Sequence, residues 1–247
     1  MKLGLEGKTA LITGGSKGIG AAAAKVFAEE GCSVVLIART QADLTATQQK
    51  LAAVANVKVQ TMAADLSRGE EVKRVAAAFP EADILVNNAG AIKGGTLLDI
   101  DEARWREYWD LKLFGYINMS REYYRLMASR GGGVIINVIG AAANAKPPGY
   151  ICGAVANSAL GAFTQALGSD SPKDGIRVVG IHPGPVDTER LQMLRAQSGN
   201  AMDFSAMPFG RAASPEEIGS AVAFLASPRS GYTSGTLITI DAGRSAT

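Results

Sequence analysis

The chain has 247 residues, 47% of them hydrophobic, which suffices for one large α/β domain and is short for two of typical size. Its 25 basic and 23 acidic side chains leave a formal charge of +2 with no long basic run, which argues against a nucleic-acid or polyanion partner. Cys32 and Cys152 lack metal-ligand spacing and no apolar run approaches membrane-spanning length, so reduced thiols, no metal, no membrane partner and a cytoplasmic location are expected.

The first element is the apolar run Thr9 to Ile12, short and partly β-branched as in a buried parallel strand. Thr13-Gly14-Gly15-Ser16-Lys17-Gly18-Ile19-Gly20 follows, and then the alanine-rich segment Ala21 to Glu30, which predicts a helix. A strand, a glycine turn and a helix aim the free N–H groups of the first helical turn, and the positive end of its dipole, at a phosphate or pyrophosphate. Gly14, Ser16, Lys17, Gly18, Ile19 and Gly20 are therefore candidate cofactor contacts. Cys32 to Ala38 reads as a second buried strand, with Arg39 directly after it. The residue ending this strand in dinucleotide folds meets the adenosine ribose, where arginine suits a 2′-phosphate; with Lys17 as a second cation, NADP is preferred over NAD.

Asp43 to Val54 predicts a helix, Val57 to Met62 a third strand ending at Ala64-Asp65-Leu66, and Glu70 to Phe79 another helix that Asp65 or Ser67 could cap. Ile84 to Val86 is a fourth strand running into Asn87-Asn88-Ala89-Gly90. Continuously apolar strands alternating with helices predict a parallel sheet covered on both faces, and ligands of such sheets lie at the strands' carboxyl ends. The fold class expected is thus α/β, a doubly wound parallel sheet of Rossmann type in a single domain, 1–247.

From Asp101 to Arg130 runs a long helical segment in which Trp105, Trp109, Lys112, Tyr116, Met119 and Tyr123 share one stripe. Lys112 sits among apolar neighbours, so either its ammonium is partly buried and needs a partner, or it snorkels to water. Gly133 to Ile139 is a fifth strand; Gly149 to Leu167 holds Tyr150 and a helix rich in small residues; Ile176 to Ile181 is a sixth strand leading to His182-Pro183-Gly184-Pro185-Val186-Asp187-Thr188. His182, the one histidine, has no visible nucleophile and reads as structural. Residues 189–210 lack clear periodicity but hold several apolar groups, which suggests a substrate lid and a partly apolar small-molecule substrate. Ser214-Pro215-Glu216-Glu217 opens a helix to Leu225, and Leu237 to Ile240 is the last strand.

The T-G-x-x-x-G-x-G loop, the N-N-A-G stretch and the P-G-P-V-x-T turn together resemble the short-chain dehydrogenase/reductase family from end to end. The resemblance implies hydride transfer between a nicotinamide and a carbonyl, alcohol or activated double bond. It gives Asp65 and Leu66 a place beside the adenine, Asn88, Ala89 and Gly90 a place lining the cleft, and Pro183, Gly184, Val186 and Thr188 contacts to the nicotinamide. It also implies a homodimer or homotetramer built by the central and alanine-rich helices. The family's serine, tyrosine, lysine and asparagine, however, fall at Gly140, Gly153, Asn157 and Lys112. Lysine and asparagine have changed places, so Lys112 is read as the active-site cation, Asn157 as its hydrogen-bond partner, and Tyr150 as the acid/base, its pKa lowered by that ammonium. A catalytically silent dinucleotide binder, or a non-redox lyase or hydratase on the same fold, stay open as alternatives.

Overall fold

Seven strands pair in one parallel sheet: β1 (Thr9–Thr13), β2 (Ser33–Ala38), β3 (Val59–Ala63), β4 (Ile84–Asn87), β5 (Gly133–Val138), β6 (Ile176–Pro183) and β7 (Thr236–Ile240). The structure is a computed structural model that describes residues 2–90, 92–198 and 207–245. Strand order is β3-β2-β1-β4-β5-β6-β7, so the winding reverses between β1 and β4. At that reversal the two strand ends diverge and open a crevice, which is where a nucleotide can lie across the sheet.

The helices are α1 (Gly18–Glu29), α2 (Gln41–Ala52), α3 (Gly69–Ala78), α4 (Glu102–Trp109), α5 (Gly115–Ser129), α6 (Ala142–Ala145), α7 (Ile151–Asp170), α8 (Glu189–Ser198) and α9 (Pro215–Ala226). Alternate strand residues feed two separate cores, as strands buried on both faces require. Ile12, Leu36 and Val179 meet Phe27 of α1, Leu44 of α2 and Val222 of α9 on one face. Leu11, Leu85 and Val178 meet Val75 of α3 and Met119, Tyr123 and Met127 of α5 on the other. This is the doubly wound, Rossmann-type arrangement expected.

Three local expectations change. The long central helix is not continuous, because Asp110–Phe114 forms a π-helical turn between α4 and α5. The first half starts on Asp101, whose carboxylate accepts from Arg104 N at 2.8 Å, a capping bond that favours an abrupt start. Neither Asp65 nor Ser67 caps α3; that position is Arg68, and the Asp65 carboxylate instead accepts from Ser67 N at 3.1 Å and Ser67 Oγ at 2.8 Å. The segment from Glu189 begins as a helix, α8, and residues 199–206 of the expected lid lie outside the described residues. Thr188 starts α8: its Oγ1 accepts from Leu191 N at 3.3 Å and its carbonyl from Gln192 N at 3.0 Å. A capped helix of this kind needs no apolar stripe, which is why periodicity missed it. The predicted start of α9 is present in full, with Ser214 and Glu217 capping each other's backbone.

Candidate active site

The crevice is stitched at its floor by polar side chains of the strand ends. Thr13 Oγ1 accepts from Asn88 N at 2.9 Å and Ala89 N at 3.1 Å, and Asn88 Nδ2 donates to the carbonyls of Thr13 at 3.1 Å and Gly14 at 3.2 Å. One strand farther, Asn87 Nδ2 donates to Asn137 Oδ1 at 2.9 Å and to Ser120 Oγ at 3.0 Å. These bonds hold the separating ends of β1, β4 and β5 in fixed register.

Above them the glycine turn fits a pyrophosphate. The N-cap of α1 is Lys17, whose side chain makes no capping bond, and no acidic residue stands in the first turn. That leaves a turn of N–H groups uncapped and uncontested by negative charge, which is the donor set an anion needs. Gly14 has φ +64, and a Cβ there would lie 2.9 Å from Asn88 Nδ2; a Cβ at Gly20 would run into the Gly14 carbonyl. The loop thus keeps its shape only with glycine at both places. Gly18 faces Thr188 across the crevice, since a Cβ on Gly18 would come 3.1 Å from Thr188 Cγ2.

At the adenosine end, Arg39 follows β2 and is exposed, with no ion pair among the described residues. Lys17 Nζ pairs instead with Asp43 Oδ1 at 3.1 Å, and Glu189 Oε2 is 3.8 Å away. The two cations are therefore unequal: one is free to meet a phosphate and the other is already engaged. At the opposite end, Pro183 closes β6, Gly184 N donates to Ile240 O at 2.9 Å, and Val186, buried, bridges to Ala213.

Lys112 lies in the π turn and is buried, 8% exposed. Its Nζ donates to Tyr116 Oη at 2.9 Å and to the Val138 carbonyl at 2.9 Å, while Tyr116 Oη itself donates to the same carbonyl at 2.9 Å. Burial, with a smaller push from the positive charge of Arg190, takes its pKa down to about 7. Burial also drives the Tyr116 hydroxyl well above 10. The stem of Lys112 packs under Gly90, where a Cβ would come 2.7 Å from Lys112 Cδ.

The partner expected for Lys112 was Asn157, and the structure gives it Tyr116 and Val138 instead. Asn157 is 4% exposed and its Oδ1 has no partner among the described residues. Its Nδ2 sits 2.9 Å from where a Cβ on Gly140 would be, so the amide occupies the space that a side chain at 140 would use. Both nitrogens of the buried His182 also lack partners, and burial together with the Lys112 charge lowers its pKa.

Tyr150 stands just before α7 and its ring lies over Gly153. A Cβ on Gly153 would fall inside that ring and 2.6 Å from the hydroxyl oxygen. The ring therefore fills the space that a side chain at 153 would use, and the backbone of Tyr150 is anchored by a bridge to Gly95. Its pKa is raised rather than lowered as expected, because burial outweighs the opposing charge. That opposing charge belongs to Arg190, not to Lys112. The guanidinium of Arg190 donates to Gly90 O at 2.7 Å and to Ile92 O at 2.6 Å. No periodicity or motif could have signalled this, since the contact spans the cleft.

Cys32 and Cys152 are buried free thiols, the first pushed up to about 12 by burial. Among the described residues no cluster of His, Cys, Asp or Glu could hold a metal ion, and no helix is long and apolar enough to cross a membrane.

Residues 14–245 match the family model described as enoyl-(acyl carrier protein) reductase. The chain is 32% identical to the 3-oxoacyl-[acyl-carrier-protein] reductase FabG of Vibrio cholerae over 98% of each protein. It is also 32% identical to the L-tagatose-forming galactitol 2-dehydrogenase of Cereibacter sphaeroides, covering 97% of this chain and 95% of that protein. Among solved structures, L-sorbose reductase from Gluconobacter frateurii, complexed with NADPH and L-sorbose, superposes with a TM-score of 0.93 at 33% identity over 100% of both chains. The match extends over nearly the whole chain in sequence and in fold, and the chain belongs to the short-chain dehydrogenase/reductase family of NAD(P)-dependent oxidoreductases.

Proposed function

We propose that the chain is an NADP-preferring reductase or dehydrogenase acting on the carbonyl or alcohol of a partly apolar small molecule, with Tyr150 as acid/base and Lys112 as the cation beneath the cofactor's ribose. The observation that carries this reading is the Tyr150 ring over Gly153. It returns a phenol to the place where the family's tyrosine side chain begins, from one helical turn earlier in the chain. NADP fits the residues present, through the uncapped first turn of α1 and the unpaired Arg39. A relative with NADPH bound supports the same choice.

Gly14, Ser16, Gly18, Ile19 and Gly20 would hold the pyrophosphate; Asp65 and Leu66 the adenine; Asn88, Ala89 and Gly90 the ribose side; and Pro183, Gly184, Val186 and Thr188 the nicotinamide. When bound, the nicotinamide supplies or accepts the hydride. The Tyr150 hydroxyl gives its proton to the carbonyl oxygen during reduction and takes it back during oxidation. Lys112, fixed from two sides by Tyr116 and Val138, presents its remaining hydrogen upward past Gly90. The Asn157 amide, where the serine hydroxyl is missing, offers a donor toward the same oxygen. Residues 189–210 would form the lid, and the central helix with α7 would form the surface of a homodimer or homotetramer.

The test is turnover of NADPH across a panel of ketones and the matching alcohols, with Tyr150→Phe and Lys112→Met. Both variants should bind NADPH, and Tyr150→Phe should lose at least about 100-fold in kcat. Full turnover by Tyr150→Phe removes the tyrosine from the chemistry. Binding without turnover by the unmodified protein across the panel would favour the silent binder.

A further inference from the structure

The family's tyrosine is activated by a lysine four residues later on the same helix, and here that position is the neutral Asn157. Lys112 spends two of its hydrogens on Tyr116 and Val138, and the charge that opposes burial at the Tyr150 hydroxyl is not its own. A phenol buried with no cation beside it would ionise only at strongly alkaline pH. The crevice nevertheless contains a second cation, brought from the opposite wall.

Arg190 sits in the first turn of α8 and reaches across to the segment after β4. Its two Nη groups hold the Gly90 and Ile92 carbonyls at 2.7 and 2.6 Å, a fork that fixes the guanidinium plane. The same segment continues to Gly95, which bridges to Tyr150 and whose carbonyl accepts from Ile151 N at 3.4 Å. Gly90 and Ile92 thus hold the guanidinium, and Gly95 holds the backbone that carries the Tyr150 ring. Gly90 lies between the two cations, with Lys112 packed under its Cα and Arg190 bonded to its oxygen. Arg190 bonds to carbonyls and to no carboxylate among the described residues, so its charge is not neutralised.

We propose that Arg190 is the residue that activates Tyr150, supplying from α8 the positive charge that the family otherwise takes from α7. The proposal rests on the reading of Tyr150 as acid/base. Its consequence is that activation depends on the contacts of Arg190 with the Gly90 and Ile92 carbonyls. The charge pattern agrees, since the guanidinium opposes the effect of burial on the Tyr150 hydroxyl. Also coupled to that hydroxyl are Cys152 on α7, a thiol that raises its pKa, and the Tyr116 hydroxyl on α5, which itself accepts from Lys112.

The experiment is NMR of the protein labelled with carbon-13 at tyrosine Cζ, titrated with base in the absence and presence of NADP. The chain has six tyrosines, and the Tyr150 resonance is the one lost in Tyr150→Phe. Arg190→Met should move the Tyr150 midpoint to higher pH by about one unit or more, and Arg190→Lys should hold it near the unmodified value. An unchanged midpoint in Arg190→Met overturns the proposal. So does Arg190→Lys behaving like Arg190→Met, because the carbonyl fork rather than the charge would then be at work. Where alkaline unfolding cuts the titration short, the acidic limb of the pH–rate profile for alcohol oxidation reads the same ionisation, and Arg190→Met should displace it to higher pH. An inactive Tyr150→Phe beside an unmoved midpoint in Arg190→Met discards Arg190 alone; a fully active Tyr150→Phe discards the acid/base reading whatever the titration shows.

Discussion

Replacing Lys112 with methionine should make the protein more stable at acidic pH and less active. The side chain is 8% exposed and its pKa falls from 10.5 to about 7, chiefly through burial. At about 1.4 kcal/mol per pH unit this fall corresponds to roughly 5 kcal/mol of penalty on the charged folded state. Between pH 7 and 10.5 the unfolded lysine keeps a proton that the folded one has shed, so stability rises with pH through that window. Below about pH 7 both states are charged and the folded state carries the whole penalty. Methionine of similar length removes it and forfeits two hydrogen bonds, about 1 kcal/mol each, while Val138 O keeps the Tyr116 hydroxyl as donor. The net expectation is about 3 kcal/mol of added stability at pH 6, falling to about zero near pH 9 and reversing to a loss of about 1 kcal/mol at pH 10. Urea unfolding of both proteins without cofactor, at one protein concentration and at several pH values, measures the difference. A gap of constant size from pH 6 to 10 would refute the reasoning, since it would mean that Lys112 titrates alike in both states.

Gly153→Ala should keep the fold, because alanine favours a helix by about 1 kcal/mol over glycine, yet displace the Tyr150 ring and lower kcat at least about 100-fold with NADPH affinity unchanged. Wild-type turnover in this variant would show that the ring position is not used. Arg39→Asp should weaken NADPH at least about tenfold while sparing NADH, read by fluorescence titration of each nucleotide. Asp43→Asn releases Lys17 from its ion pair and should tighten NADPH a few-fold by the same assay; no change would mean that Lys17 does not reach the 2′-phosphate. Gly20→Ala would put a methyl against the Gly14 carbonyl, and loss of both nucleotides with an intact sheet by circular dichroism is expected.

Strands and the glycine turn were legible because their chemistry is local: continuous apolar runs can only be buried on both faces, and four glycines in seven residues leading into an alanine-rich segment leave few other uses. The stripe from Trp105 to Tyr123 was legible as a face, yet the π turn inside it was not. Hydrophobic spacing of three and four tolerates one extra residue without breaking. Gly153 and Gly140 read as losses in one dimension, whereas in three dimensions Tyr150 and Asn157 fill the vacated volumes. The docking of Arg190 joins residues about a hundred positions apart through backbone carbonyls, which carry no sequence identity. The stripe leaves open whether Lys112 is buried or snorkels, and the structure buries it; its expected partner Asn157 lies near Gly140, and Tyr116, one turn along, takes the ammonium.

The arrangement around Val138 also fixes what the Lys112 nitrogen can offer a ligand. Two of its hydrogens are assigned, to the Tyr116 oxygen and to the Val138 carbonyl, and the Tyr116 proton is spent on that same carbonyl. As an ammonium it has one hydrogen left over and can only donate toward the crevice; as a neutral amine it has none and turns a lone pair there instead. With its midpoint at about 7, the atom changes from giver to receiver within the ordinary range of cellular acidity. A ribose hydroxyl, which can play either part, would stay bound through that exchange, whereas a group able to accept and not to donate would be held on the acid side alone.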